Sequence, residues 1–101
     1  MMLKTDEIRL AEVRTIRRRI LQTLHVTGAV GMNEESLKDL LHRVGHIITE
    51  GELRNHLDYL EEQKTIKIID RDQATWAAKI LPYGAEIIEY AAKPPAGIAK
   101  G

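Results

Sequence analysis

The sequence predicts an α+β domain in which three helices precede a two-stranded hairpin and one further helix follows it. Three observations lead there. Apolar residues recur at helical spacing over residues 5–27, over 34–44, and along T-E-G-E-L-R-N-H-L-D-Y-L (Thr49–Leu60). From Thr65 to Ile80 the pattern changes to alternation around a polar turn. Each helical stretch also carries a capping residue in front of it or a breaker behind it. Helix, helix, then hairpin is the order of a winged helix-turn-helix domain. Thr49–Leu60 would then stand where such a domain has its recognition helix, and residues 65–80 where it has its wing.

The first helix, 5–27, gathers Leu10, Val13, Ile16, Ile20, Leu21 and Leu24 on one side. Thr5 or Asp6 can cap it, and Asp6 and Glu7 suit the positive end of its dipole. Arg14, Arg17, Arg18 and Arg19 form a basic cluster; by helical angle Arg17 falls inside the stripe and Arg18 and Arg19 point away. That cluster reads as a solvated face with one snorkelling arginine, or as a contact to a second subunit and to phosphates. Gly28–Asn33 makes a loop. Asn33 caps the second helix, 34–44, whose inner side would be Leu37, Leu40, Leu41 and Val44. Gly45 ends it, and Ile47 and Ile48 are expected to plug the core beneath the turn. Thr49 and Glu52 form a capping box for the third helix, with Leu53, Leu57 and Leu60 as its buried stripe. Strands 65–70 and 74–80 follow, the second weakened by its alanines. Pro82 opens a last helix, 83–92, and Lys93-Pro94-Pro95-Ala96-Gly97 breaks it. The expected organisation is a domain over 1–92 and a flexible tail over 93–101.

Composition excludes several classes of function. With no cysteine among 101 residues there is no disulfide framework, thiolate nucleophile or cysteine metal site. No apolar run reaches the ~18 residues of a membrane span, and the charged start is unlike a signal peptide, so a cytoplasmic protein is expected. Fifteen Lys and Arg balance fifteen Asp and Glu, but unevenly along the chain. Residues 1–32 carry +3, residues 33–63 carry −5 and residues 64–101 carry +2. The stretch in the recognition-helix position, Thr49–Leu60, therefore lies in the acidic part, which is unfavourable for meeting phosphates.

E-L-R-N-H-L-D-Y-L-E-E-Q-K-T-I-K-I (Glu52–Ile68) resembles the recognition helix and first wing strand of ArsR/MarR-type winged-helix regulators, which commonly show V/L-x-x-H-L-x-x-L-E-x-x-G-L-I. L-P-Y-G-A-E-I-I-E (Leu81–Glu89) resembles the L-T-x-x-G element that follows the wing in many of them. The chain from about residue 8 to 92 is also similar to short winged-helix proteins of Mu-like prophages. Lys64 stands where the family usually has Gly, and the cysteine pairs of its metal-sensing branch are missing. The resemblance implies that Arg54, Asn55 and Asp58 face the major groove, with Gly51 allowing close backbone approach. Arg54 suits guanine and Asn55 adenine. Lys67, Arg71 and Lys79 on the wing, with Lys38 and Arg43, would meet phosphates. The plainer alternative is that Arg54 pairs with Asp58, four residues on.

Enzyme signatures are missing: no Gly-rich phosphate loop, no nucleophile elbow, and a lone Ser36 in the first turn of a helix. No cofactor or metal is expected. His42 and His46 are four apart, but Gly45 interrupts the helix and no third ligand stands at a supporting spacing. His56 flanks the stripe as a packing residue, and Trp76 is expected in the core or at a dimer contact. The leading expectation is a duplex-DNA-binding regulator or architectural protein, phage-related, dimeric through its first and last helices. The alternative is a protein-interaction module whose acidic central helix docks a basic partner.

Overall fold

A computed structural model describes residues 5–101; residues 1–4, the start of the expected domain, lie outside the described residues. Within them the chain forms four α-helices and a three-stranded antiparallel sheet. The order is α1 (Thr5–Thr27), a 3-10 turn (Gly28–Val30), β1 (Met32–Asn33), α2 (Glu34–Arg43), α3 (Glu50–Glu62), β2 (Ile66–Ile69), β3 (Ala77–Ile80) and α4 (Pro82–Ile88). The strands lie in the order β1-β3-β2. The expected hairpin is therefore part of a larger sheet. β1, inside the expected Gly28–Asn33 loop, pairs Met32 with Ala78 and Asn33 with Ala77.

Local chemistry sets most helix ends. The Asn33 side chain accepts from the Ser36 N–H at 2.8 Å, and Thr49 and Glu52 exchange bonds of 3.1 and 3.0 Å across the start of α3. Each such cap satisfies amides that the helix itself leaves open. α3 ends through Lys64 in the left-handed region at φ 62°. α4 is shorter than expected and stops at Ile88, with Tyr90 left-handed at φ 60°.

The core collects Ile16, Ile20, Leu21 and Leu24 from α1, Leu37 and Leu41 from α2, Ile48, and Leu53, Leu57 and Leu60 from α3. Ile66, Ile68 and Ala78 close it from the sheet and Ile87 from α4. The register Ile66↔Ile80 and Ile68↔Ala78 turns these side chains to the helices, and Lys67↔Lys79 turns outward. Gly31 is required where the chain enters β1: its φ is 73°, and a Cβ there would overlap the backbone carbonyl of Ala78.

Five apolar expectations fail. Leu10 is 47% and Ile47 73% exposed, and Leu40 and Val44 are also open, because α1 begins beyond the core and only one side of α2 meets α3. Val13 is only half-buried. Residues 93–101, expected to be mobile, are packed on α1. Ile98 is 2% exposed in the core, and the Ala99 N–H donates to the Arg14 carbonyl at 3.1 Å. Arg17 and Arg18 donate to the carbonyls of Gly97 and Ala99, each at 3.2 Å. Arg18, expected on the open side, is consequently buried at 7% exposure.

α4 rests on the start of β2 with almost no clearance. Leu81 N–H donates to the Thr65 carbonyl at 3.0 Å, and a Cβ at Gly84 would overlap that same oxygen. Gly84→Ala is expected to destabilise by about 1–3 kcal/mol, as overpacking does, read as a lower urea midpoint at unchanged slope.

Candidate functional site

The outer side of α3 and the turn of the hairpin share one network of charges, and it begins at a buried carboxylate. Because β1 pairs with β3, the residue after the Asn33 cap meets the far strand. Glu34 N–H donates to the Trp76 carbonyl at 2.9 Å, and Trp76 N–H donates to Glu34 Oε1 at 3.1 Å. The Glu34 side chain is left 2% exposed. Arg54, one turn into α3, completes its coordination. Nε donates to Oε2 at 2.8 Å and Nη2 to Oε1 at 2.6 Å, a two-pronged bond. The same guanidinium donates to the Ala74 carbonyl at 2.8 Å, pairs with Glu50 at 3.2 Å and lies over the Trp76 ring at 4.4 Å. The Arg54 fork, helped by the Trp76 N–H, holds the Glu34 carboxyl below the usual carboxylate range; Arg54 is raised in return.

Arg71, in the hairpin turn, ties down the other end of α3. It pairs with Asp58 at 2.8 Å and Glu61 at 2.7 Å, and lies 4.6 Å from the centre of the Trp76 ring. Glu61 Oε2 also accepts from the Ile68 N–H at 2.7 Å, and the Trp76 indole N–H donates to the Arg71 carbonyl at 3.0 Å. Two arginines and one tryptophan thus fasten the hairpin turn to α3 and to the start of α2.

Three of the nine residues expected at DNA, Arg54, Asp58 and Arg71, meet in this network. Arg54 pairs with Glu34 and Glu50, and not with Asp58 as the plainer alternative had it. Its Nε and Nη2 donors are engaged within the chain, so a base edge taking that fork would have to displace a buried carboxylate from it. Asn55 and Gly51 stay exposed on α3, beside Glu50, Glu52 and Glu62. Lys38 lines a shallow cleft with Glu34, Glu35, Asp39, His42 and Glu50, and Arg43 pairs with Asp39 at 2.9 Å. Lys67 and Lys79 stand directly opposite each other on the outer side of the hairpin, with no carboxylate within 4.0 Å of either among the described residues, although Glu61 lies near enough to feel the Lys67 charge.

Sequence reasoning missed Glu34 and Trp76 as the centre of the network. An acid in the first turn of a helix already has a sufficient local explanation, and nothing in the pattern signals that this one is buried. Among the histidines, His42 Nε2 lies 3.0 Å from the Ile48 carbonyl oxygen and 3.3 Å from its nitrogen, so this ring braces the turn between α2 and α3. No group of three or more His, Cys, Asp or Glu stands arranged to hold a metal ion among the described residues, and no helix there is long and apolar enough to cross a membrane. No known protein family, curated protein or solved structure matches this chain.

Proposed function

We propose that the chain is a winged helix-turn-helix domain that holds duplex DNA through its wing, by phosphate contacts that tolerate many sequences. The order of helices and strands supports the fold: three helices, a short strand in the loop before α2, and a hairpin after α3. The observation that carries the DNA reading is the Lys67–Lys79 pair. Like charges placed directly opposite across two strands destabilise a sheet. A cost of that kind is expected where an anion supplies the missing charge. Phosphates on a duplex do so at regular spacing. Base reading through Arg54 is no part of this proposal. Asn55 is the one polar side chain on the outer side of α3 that carries no charge and stays open.

A pair of copies would present two wings to one duplex, and α1 supplies the surface for pairing. Ile8 is 54% and Leu10 47% exposed on its first turns. α4 does not offer the same, since Ile87 is buried in the core and Ile88 packs against it.

The test is fluorescence anisotropy with a pool of duplexes at several salt concentrations. The native protein is expected to bind with log affinity falling linearly in log salt. Lys67→Ser/Lys79→Ser should lower affinity roughly tenfold or more for all sequences alike, and reduce the salt slope by about 2. An unchanged slope would remove the wing from the contact. One observation favours a second reading. With Arg54 and Arg71 consumed internally, Glu50, Glu52, Asp58 and Glu62 leave α3 an acidic outer side. That side suits a basic protein surface, and absence of duplex binding even at low salt would leave this reading in place.

A further inference from the structure

A second concentration of positive charge lies away from the hairpin, where the C-terminal segment crosses α1. Arg14 and Arg18 are one turn apart on the same side of that helix, an i,i+4 pair of like charges that weakens an isolated helix. Segment 93–101 brings Lys93 and Lys100 beside them, and two adjoining clefts result. One, of about 510 Å³, is lined by Arg18, Tyr90, Lys93 and Lys100 over an apolar floor that includes Ile87. The other, of about 650 Å³, is lined by Arg14, Thr15, Lys93 and Lys100. Neither has an Asp or Glu side chain in its wall. In a chain with equal numbers of acids and bases, four basic side chains converge here with no acidic side chain among them, and Gly101 lies against the Arg18 guanidinium.

The donors are only partly used. Arg14 Nε is buried and has no hydrogen-bond partner. Arg18 gives one bond to the Ala99 carbonyl at 3.2 Å, with its guanidinium 5.4 Å from the centre of the exposed Tyr90 ring. The Arg14 Nε has almost no open surface, so an arriving acceptor meets the terminal nitrogens of the guanidinium instead. A carboxylate would bring one charge to four cations, whereas linked phosphates bring two or more charges and many acceptor oxygens in reach of arginine forks. The volumes lie in the range of small-molecule sites, roughly 300–1,000 Å³, and leave room for an organic group beyond the phosphates.

We propose that this double cleft between α1 and segment 93–101 binds a small molecule carrying linked phosphates. It goes beyond the DNA reading and does not depend on it.

Inorganic pyrophosphate is the probe, titrated calorimetrically into the whole chain at low salt. One site is expected. Lys93→Ser/Lys100→Ser, both exposed, should weaken it at least tenfold with the melting temperature retained, and Arg14→Gln should do the same independently. The wing variant Lys67→Ser/Lys79→Ser should bind pyrophosphate as the native chain does. No heat at millimolar pyrophosphate would overturn the proposal. So would binding that survives both cleft variants, or that is lost in the wing variant alone.

Discussion

Arg54→Ala is expected to lower the melting temperature by roughly 10 °C or more, before any question of ligand binding arises. The reason lies in the partner left behind. Glu34 is 2% exposed, and its carboxylate depends on the two prongs of Arg54 and on the Trp76 N–H. With the guanidinium gone, a buried anion keeps one donor, and water reaches it poorly. Arg54 is itself 29% exposed, which moderates the loss below that of a fully buried pair. Arg54→Lys should recover little, because a single ammonium cannot reproduce the fork, the bond to the Ala74 carbonyl and the contact with the Trp76 ring together. Glu34→Gln/Arg54→Gln removes both charges and should be milder than Arg54→Ala alone. Circular dichroism gives the melting temperature, and Trp76 fluorescence reports whether the hairpin turn loosens. A melting temperature within about 2 °C of native would show that the pair does not hold the hairpin. Weakened duplex binding at unchanged stability would instead restore Arg54 as a reader of bases.

What could be read from sequence follows from the range over which each feature is determined. The caps at Asn33 and Thr49–Glu52 are local, closed within three residues, and both are formed. The alternation from Ile66 to Ile80 likewise specified which side of the hairpin meets the core. β1 was illegible, since two residues carry no periodicity and Met32 and Asn33 are extended only because β3 lies beside them. The stripe of Leu53, Leu57 and Leu60 leaves Arg54 off the buried side of α3, but nothing local shows that Glu34, 20 residues earlier, meets it there. The C-terminal segment misled for a related reason. Lys93-Pro94-Pro95-Ala96-Gly97 rules out a helix without ruling out an ordered path, and what fixes that path is distant: Ile98 in the core, with the N–H donors of Arg17 and Arg18. Lys64 closes α3 at a left-handed φ of 62° with a side chain that does not favour it.

Acidification is expected to weaken the fold first through His56, in a pH window that belongs to this group. His56 is 8% exposed, and its Nδ1 accepts from Arg17 Nε at 3.2 Å. Burial, and next the Arg17 guanidinium, hold its pKa down from 6.5 to about 4, while Glu52 pulls weakly the other way. Arg9 and Glu12 of α1 line the same cleft. A protonated ring could no longer accept from Arg17, and two cations would share a site with little water. Between pH 6.5 and 4 the unfolded chain therefore binds a proton that the folded chain refuses, so stability rises with pH across that window. The contribution is fully present above pH 6.5, falls as the pH drops, and is gone below about 4. Allowing for partial screening by solvent, it amounts to about 2–3 kcal/mol. Glu34 and Glu61, held below their ordinary 4.5, lose their own contributions lower on the scale, which leaves pH 6.5 to 4.5 for His56. Urea unfolding at pH 7, 6 and 5 measures the slope, and His56→Asn isolates it, since the amide keeps an acceptor near Arg17 and nothing that titrates. The variant's stability should be flat over this range while the native protein's declines. The decline should carry the C-terminal segment with it, because Arg17 also donates to the Gly97 carbonyl and lies 3.8 Å from the centre of the Tyr59 ring. Amide exchange at Ile98 and Ala99 should therefore quicken toward pH 5 in the native chain and not in His56→Asn. A native curve as flat as the variant's would mean that the ring takes up its proton without disturbing Arg17.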